Sequence, residues 1–170
     1  MTSVRAIVAP EAIDPASNYI LLEHIVQRTG EIIEARAGDF LVKSAKLEFE
    51  EGDVLYGKLR PQLRKCCVAT NSGACSSDIL TLRPVHDESA YYLAALMRSE
   101  MFTHRVQRLV AGANLPRVSA RELLELEVPW PEDNSELIRR NLVARQAIAL
   151  RAEVRVFAED LARLEESILD

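Results

Sequence analysis

The first 131 residues alternate between short apolar runs and clusters of glycine, proline and polar residues. Five apolar runs recur about every 11 to 19 residues, which leaves too little room for a helix between every pair. Short runs at this spacing are typical of strands in an antiparallel sheet or a barrel. We therefore predict a mostly antiparallel sheet or a partly open barrel, with strands at residues 20–22, 39–42, 53–56, 65–69 and 78–82.

Helical periodicity interrupts the strand pattern after residue 90. Apolar and small residues recur three or four positions apart over residues 91–102, which predicts an amphipathic helix. A short helix is predicted at residues 122–125, and a last strand at residues 126–130. The sheet and these helices together predict an α/β fold of the α+β kind.

A different pattern begins after Pro131. Residues 135–169 contain neither glycine nor proline and consist largely of strong helix formers. Asp133 or Asn134 can cap the helix, with Glu136 in the capping-box position after Asp133. Apolar residues then recur at alternating spacings of four and three, which is the a/d pattern of a coiled coil. We call these eight residues the seam: Val143, Ala147, Leu150, Val154, Phe157, Leu161, Leu164 and Ile168.

The seam predicts a long helix that pairs with another helix. A helix of about 33 residues is about 50 Å long. An alternative is an amphipathic helix that folds back on its own domain, but such a helix shows a wider apolar stripe. Because the chain has one long helix, a second copy is the simplest partner. We therefore predict a domain at residues 1–131 and a dimerisation helix at residues 132–170.

Charge is distributed unevenly along the chain. The total over 170 residues is −5, with 48% hydrophobic residues. Residues 122–170 contain six basic and twelve acidic side chains, whereas residues 36–83 contain eight basic and six acidic ones. Residues 91–121 contain five basic side chains against one acidic. A basic face for nucleic acid must therefore come from the middle of the chain.

The sequence contains no recognisable catalytic or metal-binding constellation. His24, His86 and His104 lie far apart, the three cysteines form no CxxC pair, and no GxSxG, HExxH or glycine-rich phosphate loop occurs. We interpret the cysteines as buried free thiols. No apolar stretch approaches the ~20 residues of a membrane span, and the N-terminus lacks the features of a secretion signal. We expect a cytoplasmic protein that needs no cofactor and contacts no membrane.

Six segments resemble, in order, the target-recognition domains of type I restriction-modification specificity subunits. The most specific is the run GDVLYGKLRP at residues 52–61, followed by CSSDIL at residues 75–80 and GANLPRV at residues 112–118. The others are residues 18–25, 44–49 and 128–131. The resemblance covers residues 18–131, and in that family a long helix follows the recognition domain.

The resemblance implies a non-catalytic DNA-recognition subunit. Specificity subunits of this family have two recognition domains and two such helices, which pair as a spacer, whereas this chain has one of each. It therefore resembles a half-subunit that would form a homodimer on a palindromic, bipartite site in double-stranded DNA. Catalysis and S-adenosylmethionine would belong to methyltransferase partners, together with restriction subunits. The hinge at residues 131–136 departs from the family pattern, which weakens the expectation of methyltransferase contact.

Candidate DNA-contacting residues follow from charge and from position in turns. Lys58, Arg60, Arg64 and Lys65 flank Pro61, and Asn114 and Arg117 lie in a glycine- and proline-containing loop. Ser44, Lys46 and Gln62 are weaker candidates. The competing interpretation is that these positions are structural, because residues that contact bases should differ among family members.

Two other functions compete with DNA recognition. One is an acidic interaction or decoy protein that pairs with a full specificity subunit through its coiled coil, without binding DNA. The other is an enzyme with a site near Ser76, Ser77 and His24, for which the sequence offers no base beside the hydroxyl groups.

Overall fold

The computed structural model of the chain describes residues 1–33, 35–86, 89–109 and 117–168. Within these ranges the strands are β1 (Thr2–Val4), β2 (Ile7–Val8), β3 (Asn18–Ile20), β4 (Lys46–Phe49), β5 (Val54–Gly57), β6 (Cys66–Val68), β7 (Gly73–Cys75) and β8 (Ile79–Arg83). The α-helices are α1 (Ala90–Met97), α2 (Glu100–Leu109), α3 (Ala120–Leu124) and α4 (Asn134–Glu166). Short 3-10 turns lie at Pro10–Ala12, Leu22–His24, Ala37–Asp39 and Pro61–Leu63.

The strands form two four-stranded sheets. The first has the order β1-β8-β5-β6 and is antiparallel throughout. The second has the order β2-β4-β7-β3, in which only β3 and β7 run parallel. The predicted α+β class with mostly antiparallel pairing is therefore confirmed. Arg5 and Ala6 alone separate β1 from β2, so this short link passes from one sheet to the other.

Strand β5 lies between two apolar layers. Val54 and Tyr56 pack toward α1, α2 and α3, whereas Leu55 packs with Phe49 and Ile79 toward the second sheet. Successive side chains of a strand point to opposite faces. Because both faces are covered, Val54, Leu55 and Tyr56 are all at most 1% exposed.

The predicted strand at residues 39–42 is wrong. Asp39 ends the 3-10 turn Ala37–Asp39, and its carboxylate accepts the Arg36 backbone N–H at 3.0 Å. The Phe40 N–H donates back to the Ala37 carbonyl at 3.1 Å. Aspartate side chains compete in this way with sheet ladders for backbone groups, and the local bonds produce a turn.

The predicted strand at residues 126–130 is also wrong, because this segment joins no sheet. Its carbonyl groups are bonded by side chains instead of by a strand: Arg105 donates to the Glu127 carbonyl, and the Tyr92 hydroxyl donates to the Pro129 carbonyl. Pro129 itself has no N–H to contribute to a ladder.

The predicted helix at residues 91–102 is two helices. Ser99 accepts the Phe102 backbone N–H at 3.2 Å through its hydroxyl, a typical N-terminal bond, and α2 begins there. The short helix predicted at residues 122–125 is α3, which begins slightly earlier because Ser119 and Glu122 form a capping box.

Helix α4 lies along α1 at its beginning and reaches the rest of the domain further on. The Asn141 side chain accepts the Tyr92 backbone N–H at 2.9 Å, which satisfies a free donor in the first turn of α1. Arg155 pairs with the buried carboxylate of Glu31 at 3.0 Å, and Arg151 donates to the Thr29 carbonyl at 3.2 Å. Among the described residues, no helix combines the length and apolar character that a bilayer crossing needs.

Candidate nucleic-acid interface

A tight turn presents Arg60 and Gln62 to solvent. The 3-10 turn Pro61–Leu63 is bounded by Arg60 and Arg64, whose φ angles of +50° and +52° place both in the left-handed region. Such a conformation costs a non-glycine residue about 1 kcal/mol or more. Pro61 is buried and anchors the turn, while Arg60 and Gln62 are exposed. The turn therefore holds two of the predicted residues on the surface.

Arg64 and Lys65 are directed into the domain. The Arg64 guanidinium pairs with Glu100 of α2 at 3.0 Å, and its Nε is buried without a described partner. The Lys65 ammonium donates to the Leu22 carbonyl, and partial burial lowers the pKa of Lys65. The structure therefore places both charges in contacts within the chain.

Lys58 and Arg117 are brought together where β5 ends and β8 begins. The Lys58 backbone N–H donates to the Asp78 carbonyl at 2.8 Å, and the Lys58 carbonyl accepts from Val118 at 3.2 Å. Leu59 and Arg117 form an isolated antiparallel bridge, and the Arg117 guanidinium pairs with the Asp78 carboxylate at 3.2 Å. Residues 58 and 117 thus form a second basic position, held by backbone bonds.

Two predicted residues remain, Lys46 and Asn114. Lys46 begins β4 in the second sheet, where its ammonium donates to the Ser44 hydroxyl at 2.7 Å. Asn114 lies outside the described residues. The structure therefore does not gather all eight predicted DNA-contacting residues onto one surface.

The seam of α4 is exposed along its whole length. Seven of its eight side chains are 55% to 80% exposed, and Ala147 is also exposed. At about 100° per residue, the seven seam residues from Val143 to Leu164 share one face of α4, whereas Ile168 lies beyond the end of the helix at Glu166. The sequence prediction that the seam lies on one helix face agrees with this arrangement.

The opposite face of α4 packs on the domain, as in the alternative of a helix that folds back on its own domain, but the sequence did not indicate which residues make this contact. The buried or half-buried residues on this face are Leu137, Asn141, Ala144, Ile148 and Ala152. Only two of the five have large apolar side chains, and they lie eleven residues apart, so the apolar pattern of this face is weak. The ion pair between Arg155 and Glu31 had no signal in the sequence, because it depends on how the chain folds.

The described residues contain no site for a metal ion, since no three His, Cys, Asp or Glu side chains are suitably grouped. The cysteines are buried, as the sequence indicated, and burial raises the pKa of Cys66 to about 12 and that of Cys75 to about 11. The His24 ring accepts the Leu21 backbone N–H and packs 5.4 Å from the Phe40 ring. Asp53 is 1% exposed and binds Arg83, which is a structural role.

A curated protein is similar to part of the chain. The type I restriction enzyme EcoDI specificity subunit of Escherichia coli is 34% identical over 101 residues, which are 58% of this chain and 22% of the relative. The resemblance to type I specificity subunits is confirmed. No family model matches the chain.

Solved structures of the type I system share the fold of nearly the whole chain. The HsdS subunit from Thermoanaerobacter tengcongensis matches with a TM-score of 0.65 and 19% identity over 98% of this chain. A chain solved in work on complex assembly and conformational transition of the type I R-M system matches with a TM-score of 0.66 and 20% identity, again over 98% of this chain. Each match covers 43% of the solved chain. The chain therefore spans less than half the length of the HsdS structure and about a fifth of the curated specificity subunit.

Proposed function

We propose that the chain is a DNA-recognition subunit of a type I restriction-modification-like system and acts as a homodimeric half-subunit. The observation that supports this proposal is the combination of an HsdS-like fold with an exposed apolar seam on the face of α4 that its own domain leaves uncovered. A second copy supplies the helix that the seam requires.

In this proposal residues 1–131 contact double-stranded DNA. Arg60 and Gln62 have the exposure that base-edge or phosphate contacts require, and Lys58 and Arg117 add a second basic position. Basic contacts to phosphates orient a protein on the duplex, while base edges supply sequence specificity. The candidate set is completed by Lys46, Arg64, Lys65 and Asn114. Of these, Arg64 and Lys65 stabilise the turn through their contacts within the chain.

Residues 132–170 form the dimerisation helix in this proposal. A two-fold axis through paired α4 helices would place the two recognition domains on equivalent half-sites, so the target would be palindromic and bipartite. The length of α4 would then set the distance between the half-sites.

The chain contributes recognition and no catalysis in this proposal. Methyl transfer from S-adenosylmethionine and any DNA cleavage would belong to methyltransferase and restriction partners in the cytoplasm. The chain's own part is to position those partners on their target.

Light scattering on the purified chain, alone and with a random-sequence duplex pool at low salt, tests the proposal. We expect a particle of about twice 19.0 kDa that retains DNA, and selection from the pool should yield a palindromic site. A monomer contradicts the two-fold arrangement, and a dimer that retains no DNA contradicts DNA recognition by the chain alone.

A decoy or interaction protein is the second candidate function. The net charge of −5 and the internal ion pairs of Arg64 and Arg117 favour it. Such a protein would pair through its seam with a full specificity subunit and would leave the duplex pool unbound. Retention of DNA by the dimer therefore separates the two candidates.

A further inference from the structure

A groove of about 540 Å³ lies between the link that joins the two sheets and the segment leading into α3. Arg5 and Ile7 line it on the side of the link, and Arg117 and Ser119 line it on the opposite side. Lys58, which directly follows β5, and two residues of β8 also line it. The groove therefore joins elements that are distant in sequence, and it contains Arg5, which the sequence patterns did not indicate.

Three cations, Arg5, Lys58 and Arg117, line this groove, and Arg117 is paired with Asp78 at 3.2 Å. Among the described residues, no carboxylate forms an ion pair with Arg5 or Lys58. Glu122 also lines the groove, but its carboxylate accepts from the Ser119 backbone and hydroxyl groups as part of the α3 cap. The arrangement favours an anionic ligand.

The groove on the other side of the link has the opposite character. Its volume is about 410 Å³, and its charged lining is Asp14, Glu48, Glu50 and Arg83. Arg83 is already paired with Glu50 at 3.1 Å and with Asp53 at 2.9 Å. An anion passing over this region is therefore attracted to the groove of Arg5 and repelled from its neighbour.

Apolar groups accompany the cations. Ile7 is 70% exposed and Leu47 is half-buried, and these two side chains supply the accessible apolar surface of the groove, whereas Leu80 and Val118 lie buried beneath it. A sugar–phosphate backbone has this mixture, since its phosphates are anionic and its deoxyribose faces are largely apolar. A small inorganic anion would use only the charged part.

We propose that this groove binds the sugar–phosphate backbone of duplex DNA, with Arg5, Lys58 and Arg117 contacting phosphates. The inference rests on the proposed DNA-recognition function and deepens it, because it adds Arg5 and locates the path of the backbone. Phosphate contacts of this kind set register and orientation and are independent of sequence.

Fluorescence anisotropy with a labelled random-sequence duplex of about 30 base pairs, at about 50 to 200 mM salt, tests the groove. We expect Arg5→Ala to weaken binding about fivefold. The slope of log K against log salt is negative, and its magnitude should decrease by about one. Arg5→Lys retains the charge and should keep the wild-type slope. Arg163→Ala is the matched control, because it removes the same charge from the exposed far part of α4 and should leave binding unchanged.

Each of the following outcomes contradicts DNA binding in this groove, and each points to a different cause. If the wild type binds DNA and Arg5→Ala has the same affinity and slope, the groove does not bind the DNA backbone, while the proposed DNA-recognition function is unaffected. An equal loss in Arg163→Ala would show a general charge effect. If the wild type itself binds no duplex at about 50 mM salt, the proposed function fails and the groove with it. Equal melting temperatures of the variants establish that folding is intact.

Discussion

Substitution of two seam leucines by aspartate separates the dimer contact from the fold of the domain. Leu150 and Leu161 are 61% and 57% exposed in the single chain. In a monomer, Leu150→Asp with Leu161→Asp therefore changes mainly helix propensity, at a cost of about 0.5 kcal/mol per site. The free energy of unfolding of the monomer should fall by only about 1 kcal/mol.

The dimer should be affected much more strongly. Full burial of a leucine contributes about 1.5–3 kcal/mol, and about 60% of each side chain remains for a partner to cover. Two leucines in each of two chains then contribute roughly 4–7 kcal/mol. That loss weakens dimerisation on the order of a thousandfold or more, before the cost of burying aspartate charges is added.

Light scattering after size exclusion measures the effect directly. The wild type should elute near twice 19.0 kDa and the double variant as a monomer with its circular dichroism spectrum retained. Ala149→Asp with Ala162→Asp is the matched control, since both alanines are exposed and lie off the seam. A double seam variant that remains dimeric would contradict dimerisation through the seam, and so would a control pair that dissociates equally.

Three further predictions concern the domain itself. Asp53→Asn should lower the free energy of unfolding by about 2 kcal/mol in urea denaturation, because Asp53 is buried and accepts from Arg83 at 2.9 and 3.0 Å. The neighbouring substitution Glu51→Gln is at an exposed position and should change this free energy little, so equal effects would contradict a stabilising role of the buried pair. The native chain should not react with a thiol reagent at about pH 8, because burial raises the pKa of Cys66 to about 12 and that of Cys75 to about 11. Three thiols should react in the urea-unfolded chain, and rapid labelling of the native chain would contradict the burial of the cysteines. Gly73→Ala should destabilise the chain by about 2 kcal/mol or more, because its Cβ would lie 2.4 Å from the Asn18 carbonyl oxygen. In Gly52→Ala the new Cβ meets no atom within 4 Å and should cost only about 1 kcal/mol of backbone strain. A lower melting temperature for Gly52→Ala than for Gly73→Ala would contradict this difference in packing.

The strands that the sequence predicted well are buried on both faces. β5, β6 and β8 are apolar at nearly every position, because one face packs on helices and the other on the second sheet. Residues 39–42 and 126–130 are also rich in apolar residues, yet neither forms a strand. In both segments, backbone groups bond to local turn groups or to side chains, which competes with strand pairing.

The candidate site was predictable only in part. The sequence indicated that residues 58–65 form a basic turn, and the structure places Arg60 and Gln62 on its surface. The sequence could not show that Arg64 contacts Glu100 or that Arg117 contacts Asp78, because these partners are distant along the chain. Arg5 had no signal at all, since its surroundings exist only when β1, the end of β5 and the start of α3 come together.

The long helix and the position of its seam could be predicted from the amino-acid sequence alone. Heptad spacing is a local property of one helix, so the side chains that share a face follow from their positions alone. Three features could not be predicted in this way: the packing of the other face of α4 on α1, its ion pair with Glu31, and which cations remain exposed. These outcomes depend on contacts between distant segments, and such contacts form only when the two sheets and the helices have packed together.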